Sequence, residues 1–314
     1  HSSTAGFKNM RVPLSPLTPG DLIGVAAPAG YLVEHERFHQ GCSLIRDMGF
    51  EIFEPDKRWP GYGYLADTDE ARIKELHHLW MNPEVKAIIS LRGGFGCLRL
   101  LDKLNPAVIR SHPKMFIGFS DITVLHNHIV NDIGLMCLHG PGLATLTDSD
   151  QASQERLYHC LKGDWHRSLK ENVEIVRSSI PATGILLGGN LSSLVTMLGT
   201  PWFPQLKGAI LLLEDVNEPL YRLDRLLTQL WFSGEMNHIN GIILGQFSDD
   251  STEPIERDRR NEFVWARVEG LTSEKTVPIW GNFPIGHCRR NLTVPLGIPA
   301  TMDSDTTILH FCED

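Results

Sequence analysis

The chain has 314 residues, 42% of them hydrophobic and 21% charged, with a formal net charge of -9 at pH 7. That is the balance of a globular chain long enough for one large domain or two ordinary ones, and its acidity excludes a protein built mainly to grip nucleic acid through clustered Lys and Arg. No run of 18 apolar residues occurs, so no membrane-spanning helix is expected.

In chain order, the amino-terminal "HSSTAGFKNMR" has neither the charged start nor the apolar run of a leader and does not begin with Met, so the fold argument starts after it. "LIGVAA" (22–27) reads as a buried strand and "EHERFHQGCSLIRDMGF" as a helix stopped by Gly49. "EIFE" is a second strand. "DTDEARIKELHHLWMN" is a helix with Asp67 as its expected cap and acids in its first turn. "VKAIISL" (85–91) is a third strand, closing on the glycine-rich "RGGFG"; "MFIGF" and "LMCL" (135–138) are two more, and a helix is expected near 151–162. Strands alternating with helices suggest a mostly parallel sheet covered on both faces, with its ligand crevice at the carboxyl ends of the strands.

Residues 166–183 are polar and weakly periodic and read as a linker between a first domain, 12–165, and a second, 184–314. The second opens with "TGILLGGNLSSLVTMLGTPW", has strands in "AILLLED" (209–215) and "GIILGQF" (241–247), then a helix, "VPIW" and a strand-rich tail with several prolines. Two α/β domains are the expectation, with a cleft between them.

Four stretches carry candidate chemistry. In "IGFSDIT", Ser120 stands between a strand and a helix, where a serine either caps the helix or is held up as a nucleophile. Ile122 occupies the place where the hydrolase elbow G-x-S-x-G wants glycine, so that signature is incomplete. In "LRGGFG", Gly93 and Gly94 let backbone amides approach a ligand, as in an oxyanion hole, or form a simple tight turn. Arg92 beside them is a surface residue or an anchor for an anionic group. In "AILLLEDVNEPLYRLDRLLTQL", Glu214 directly continues a buried apolar run and so needs a partner, whereas Asp215 or Asn217 reads as a cap for the helix near Pro219. In "GNFPIGHCRRNLTVPLG", His287 follows Gly286 in a loop after a strand.

The six cysteines (42, 97, 137, 160, 288 and 312) include no C-x-x-C pair, which argues for neither zinc nor disulfides and fits a reducing, cytoplasmic location. No H-E-x-x-H occurs, and the pairs His77–His78 and His126–His128 do not share a ligand face. These spacings give no metal site. Serine, semi-buried carboxylate and histidine are together the parts of a triad, and the order Ser120, Glu214, His287 is that of α/β-hydrolases. The amides of Gly93, Gly94 and Asp121 would receive the oxyanion.

Several of these motifs together resemble the LD-carboxypeptidases, serine peptidases that trim murein tetrapeptides. The resemblance runs from about residue 20 through "APAG", "LRGGFGCLRLL", "GFSDIT", "GGNLSSLVTMLGTPW", "LLLEDVNEPLYRLDRLLTQL", "GIILGQFSD" and "IGHCRRNLTVPLG". It implies a Rossmann- or flavodoxin-like first domain carrying the nucleophile on Ser120. A smaller, swivelling-type second domain would carry Glu214 and His287, so that the triad is assembled between domains and the protein is a homodimer. The implied reaction releases the terminal D-alanine from L-Ala-γ-D-Glu-meso-diaminopimelate-D-Ala through an acyl-enzyme and calls for neither a metal nor an organic cofactor. Arg92 and Glu218 are candidate contacts for this muropeptide substrate. Two other readings stay open: a microcin-immunity-type hydrolase of aminoacyl-nucleotides, and a muropeptide-binding protein that does not cut.

Overall fold

The protein is described by a computed structural model covering residues 11–55 and 59–312; the amino-terminal stretch read for a leader pattern, residues 1–10, lies outside the described residues. The described residues up to Trp165, together with Leu292–Pro295, form one compact unit, and His166–Asn291 with the residues from Leu296 onward form the other.

The first unit is built on β1 (Leu22–Ala26), β2 (Glu51–Phe53), β3 (Val85–Ser90), β4 (Met115–Gly118) and β5 (Cys137–His139). Its central strands are near-continuous apolar runs, buried on both faces as parallel strands under helices are: every residue of β4 and β5 is buried, as are five of the six in β3. β1 pairs in parallel with β2 and β3, β3 with β4, and β4 with β5. The chain thus leaves β1 toward β2 on one side and toward β3, β4 and β5 on the other. The crevice of such a sheet opens where the order reverses, outside the carboxyl ends of β1 and β3.

Helices His35–Asp47 and Asp69–Met81 follow β1 and β2 as the periodicity predicts. The second is capped by Thr68, whose hydroxyl accepts from the amide of Ala71 at 3.2 Å, and not by Asp67 as expected. Thr68 has the extended cap conformation (φ -59°, ψ 161°), while Asp67 accepts from the Thr68 amide one residue earlier.

The second unit contains β6 (Leu169–Lys170), β7 (Glu174–Arg177), β8 (Ala182–Asn190), β9 (Ile210–Glu214), β10 (Gly241–Leu244), β11 (Ile279–Gly281), β13 (Pro299–Asp303) and β14 (Ile308–Phe311). They form an eight-stranded mixed sheet in the order β6-β14-β13-β8-β9-β10-β11-β7. β8 to β11 run parallel to one another; β13, β14, β6 and β7 are added antiparallel at the two sides. The remaining strand, β12 (Val294–Leu296), leaves this unit and lies beside β5, so the first sheet reads β12-β5-β4-β3-β1-β2.

The stretch 166–183, read above as a linker, supplies β6, β7 and the start of β8. β6 has only two residues and β7 has no buried one, so neither leaves a hydrophobic period to read. β8 holds the middle of the sheet. Its Gly188 has φ 110° and lies so close to β9 that an added Cβ would come 2.1 Å from the carbonyl oxygen of Leu212, which no side chain can accept. Among the described residues, no helix is long and apolar enough to cross a membrane.

Candidate active site

In the first unit, β4 hands over to a short 3-10 turn, Ser120–Ile122, and then to the helix Thr123–His128. Ser120 lies inside that turn and is not its cap; the preceding position is Phe119, in extended conformation. Ser120 has φ 63°, a left-handed conformation that costs a non-glycine residue on the order of 1–3 kcal/mol and must be held by its surroundings. Gly118 permits the turn: a Cβ there would come 2.5 Å from the Ser90 hydroxyl and 3.0 Å from the Ile122 side chain. Ile122, the residue that spoils the elbow signature, is fully buried and packs against that glycine.

The glycine loop lies against this serine. A Cβ on Gly93 would stand 2.7 Å from Ser120 Cβ and 2.8 Å from its Oγ, so backbone alone fits there. The Gly93 carbonyl accepts from the amide of Gly30, joining the loops that follow β1 and β3. Arg92 donates to the carbonyls of Gly93 and Tyr31, each at 3.2 Å, which braces the loop. The Asp121 carboxylate accepts from the amide of Cys97 at 2.9 Å, and burial pushes its pKa up.

Sequence reasoning missed Arg72. Placed on a polar-looking helix, it is fully buried and donates to the carbonyls of Pro28 (2.5 Å), Gly96 (3.1 Å) and Asp67 (3.1 Å), with its charge met by Asp69. It clamps the loop after β1 to the loop after β3.

In the second unit, Glu214 closes β9 and is fully buried. Asn190 closes β8 directly opposite, and its amide donates to Glu214 Oε1 at 3.2 Å and to Asp215 Oδ1 at 3.3 Å. His287 Nδ1 lies 3.0 Å from Glu214 Oε2. Gly286 makes this approach possible: its φ is 125°, and a Cβ there would come 3.2 Å from the same carboxylate oxygen. Burial alone would lower the pKa of His287, but the charge and hydrogen bond of Glu214, helped by Asp215 and Asp249, raise it above its ordinary value. A carboxylate on Nδ1 fixes the tautomer whose Nε2 accepts a proton, the arrangement a general base needs.

Asp215 does not cap the helix Leu220–Phe232, which Pro219 precedes without a capping side chain. Its carboxylate instead accepts from the amide and hydroxyl of Ser192 (2.9 and 2.5 Å), at the start of the helix Leu191–Thr196, and from the amide of Val216. Burial, and then the neighbouring charge of Glu214, push its pKa up to about 6. Glu218 is paired with Arg222 at 3.1 Å, and its backbone carbonyl accepts from Arg260. The polar pair Asn190–Asp215 escaped notice because the one residue looked like the end of an apolar strand and the other like a cap.

His126 and His139 are fully buried in the first unit, as are Cys42, Cys97, Cys137 and Cys160, so these are core residues. Among the described residues, no group of three or more His, Cys, Asp or Glu side chains is arranged to hold a metal ion.

Comparison with known proteins places this arrangement in context. Residues 23–140 match the model of the LD-carboxypeptidase N-terminal domain and residues 183–302 that of the LD-carboxypeptidase C-terminal domain. The chain is 33% identical to a Bacillus subtilis protein named "probable murein peptide carboxypeptidase", over 92% of this chain and 90% of that one. It is 34% identical to the murein tetrapeptide carboxypeptidase of Pseudomonas aeruginosa, over 78% and 81% of the two chains. The crystal structure of an MccF-like protein from Bacillus anthracis shares the fold with a TM-score of 0.86 at 24% identity, covering 96% of this chain and 99% of that one.

Proposed function

The chain belongs to the LD-carboxypeptidase family of serine peptidases, and from that premise we propose that it releases the terminal D-alanine from the murein tetrapeptide L-Ala-γ-D-Glu-meso-diaminopimelate-D-Ala. Ser120 is the nucleophile, His287 the general base and Glu214 the carboxylate that orients it. The observation that carries this reading is the fully buried Glu214 held 3.0 Å from Nδ1 of a histidine whose pKa it raises. The strained turn that lifts Ser120 against the backbone of Gly93 supports it from the other unit.

The steps follow from these groups. Ser120 Oγ attacks the carbonyl of the L-configured diaminopimelate centre while His287 Nε2 takes its proton. The amides of Gly93 and Asp121, with Gly94 beside them, receive the negative charge on the tetrahedral oxygen. His287 returns the proton to the departing amine of D-alanine, and a water activated by the same imidazole then frees the tripeptide from the serine ester. Recycling of cell-wall peptides in the cytoplasm, by a homodimer, is the setting this reading implies.

Mass spectrometry of the tetrapeptide incubated with wild type and with Ser120→Ala tests the proposal. Loss of one D-alanine by wild type alone is the expected result. An untouched tetrapeptide overturns the substrate and directs the search to aminoacyl-nucleotides, while cleavage that survives the substitution overturns the nucleophile.

A further inference from the structure

The second unit holds a cavity of about 570 Å³. That lies inside the range of about 300–1,000 Å³ usual for small-molecule sites. Most such sites are apolar. This one is lined by two ion pairs, Arg290 with both oxygens of Glu171 at 3.1 Å and Arg257 with Asp250 at 3.6 Å, and by a third carboxylate, Asp258. The four residues come from four places in the chain: between β6 and β7, after β10, on the helix Pro254–Leu271, and after β11. Exposed ion pairs add little stability by themselves, so stability alone is a weak reason to gather two around one cavity.

The cavity adjoins the Glu214–His287 pair. It is lined by Cys288, the residue after His287, and by Gln246, whose carbonyl accepts from the amide of Asp215 and lies 3.5 Å from where a Cβ on Gly286 would stand. A wall that carries both carboxylates and guanidiniums suits a ligand carrying both charges on one carbon. The carboxylate of such a ligand takes an arginine and its ammonium takes the acid released, so that neither charge of the ligand is left unpaired.

We propose that this cavity receives the free amino-carboxylate end of the diaminopimelyl side chain and thereby selects the substrate, an inference that rests on the carboxypeptidase reading above. In that peptide only the distal diaminopimelate carbon bears an ammonium and a carboxylate together. Four carbon–carbon bonds of about 1.5 Å separate it from the α-carbon next to the reacting carbonyl, a reach on the order of 5 Å. Arg290 and Arg257 bind the carboxylate; Glu171 and Asp250 bind the ammonium.

The test compares kcat/KM for two tetrapeptides, one with meso-diaminopimelate and one with L-lysine at the third position, which differ by the distal carboxylate. Wild type favours the diaminopimelate peptide by about ten- to a hundredfold, the discrimination expected when a site built for a charged partner is left without it. Arg290→Gln and Arg257→Gln bring the ratio toward one, and Arg290→Lys restores part of it. A wild type that cleaves both peptides equally, or glutamine variants that lose the same fraction on each, overturns the inference and leaves the carboxypeptidase reading standing. A wild type that cleaves neither overturns the carboxypeptidase reading and this inference with it.

Discussion

Replacing Glu214 by glutamine keeps the volume of a fully buried side chain and removes only its charge. Asn190 donates to Oε1, so the glutamine oxygen stays on that side and its NH2 turns toward His287 Nδ1. An NH2 donating to Nδ1 selects the tautomer with hydrogen on Nε2, which cannot take the proton of Ser120. The wrong tautomer costs a triad about 10³- to 10⁴-fold in kcat, or about 4–5 kcal/mol of transition-state stabilisation. The pH profile supplies a second readout. With His287 raised by Glu214, wild-type activity is present above the folded pKa of the imidazole and fades as the pH falls through it. In Glu214→Gln the depressing effect of burial is opposed only by Asp215 and Asp249, so the residual activity persists to lower pH. The assay is D-alanine release between pH 5 and pH 9, with thermal unfolding as the control; the variant should melt no lower, because a buried charge beside Asp215 has gone. A kcat/KM within tenfold of wild type, with the acid limb unmoved, would refute the assignment of Glu214.

Three further outcomes follow from the geometry. Gly93→Ala places a methyl 2.7–2.8 Å from the Ser120 side chain, and kcat for D-alanine release should fall about a hundredfold or more; near-normal turnover would show that the loop is not part of the catalytic centre. Asp215 has a folded pKa of about 6 against an ordinary 3.8, so its contribution to stability is complete below 3.8 and lost as the pH rises through about 6. The difference corresponds to about 3 kcal/mol; Asp215→Asn should flatten the decline of the denaturant midpoint between pH 4 and 7, and parallel curves for the two proteins would contradict it. Arg72→Ala strips donors from the carbonyls of Pro28, Gly96 and Asp67 and should cost about 3–5 kcal/mol in urea unfolding, a loss under 1 kcal/mol being incompatible with the clamp.

The fold class was legible because alternating apolar strands and amphipathic helices leave their periods in the sequence, and the burial of Glu214 because an acid closing "AILLL" has nowhere else to go. Ser120 stood out from its place between a strand and a helix, although only coordinates show that it sits inside the turn with φ 63°. What stayed hidden was long-range pairing. Arg72 looks like any helix-surface arginine until the carbonyls of Pro28 and Gly96 are brought to it. Asp215 has the look of a cap, and it does bind an amide at a helix start, but that of Ser192 in the helix at Leu191 rather than one of the helix at Leu220. β12 is three residues long and carries no signal of which sheet it will join.

That last strand bears on how the protein is made. β5 ends its sheet until β12 arrives beside it, and 157 residues separate Cys137 from Val294 (294 − 137). At about 5–20 residues per second, translation covers that distance in roughly 8–30 s. For most of that interval, from Trp165 onward, the nascent first unit is otherwise fully synthesised and presents an unpaired strand edge to everything else in the cell. A chain cut after Trp165 would keep that edge permanently, lacking also the bond from Arg156 to the Thr293 carbonyl. The first unit is therefore finished only when most of the second has been made, with β13 and β14 still to come, and a ribosome that stalls between Trp165 and Leu292 leaves a template for aggregation rather than half an enzyme.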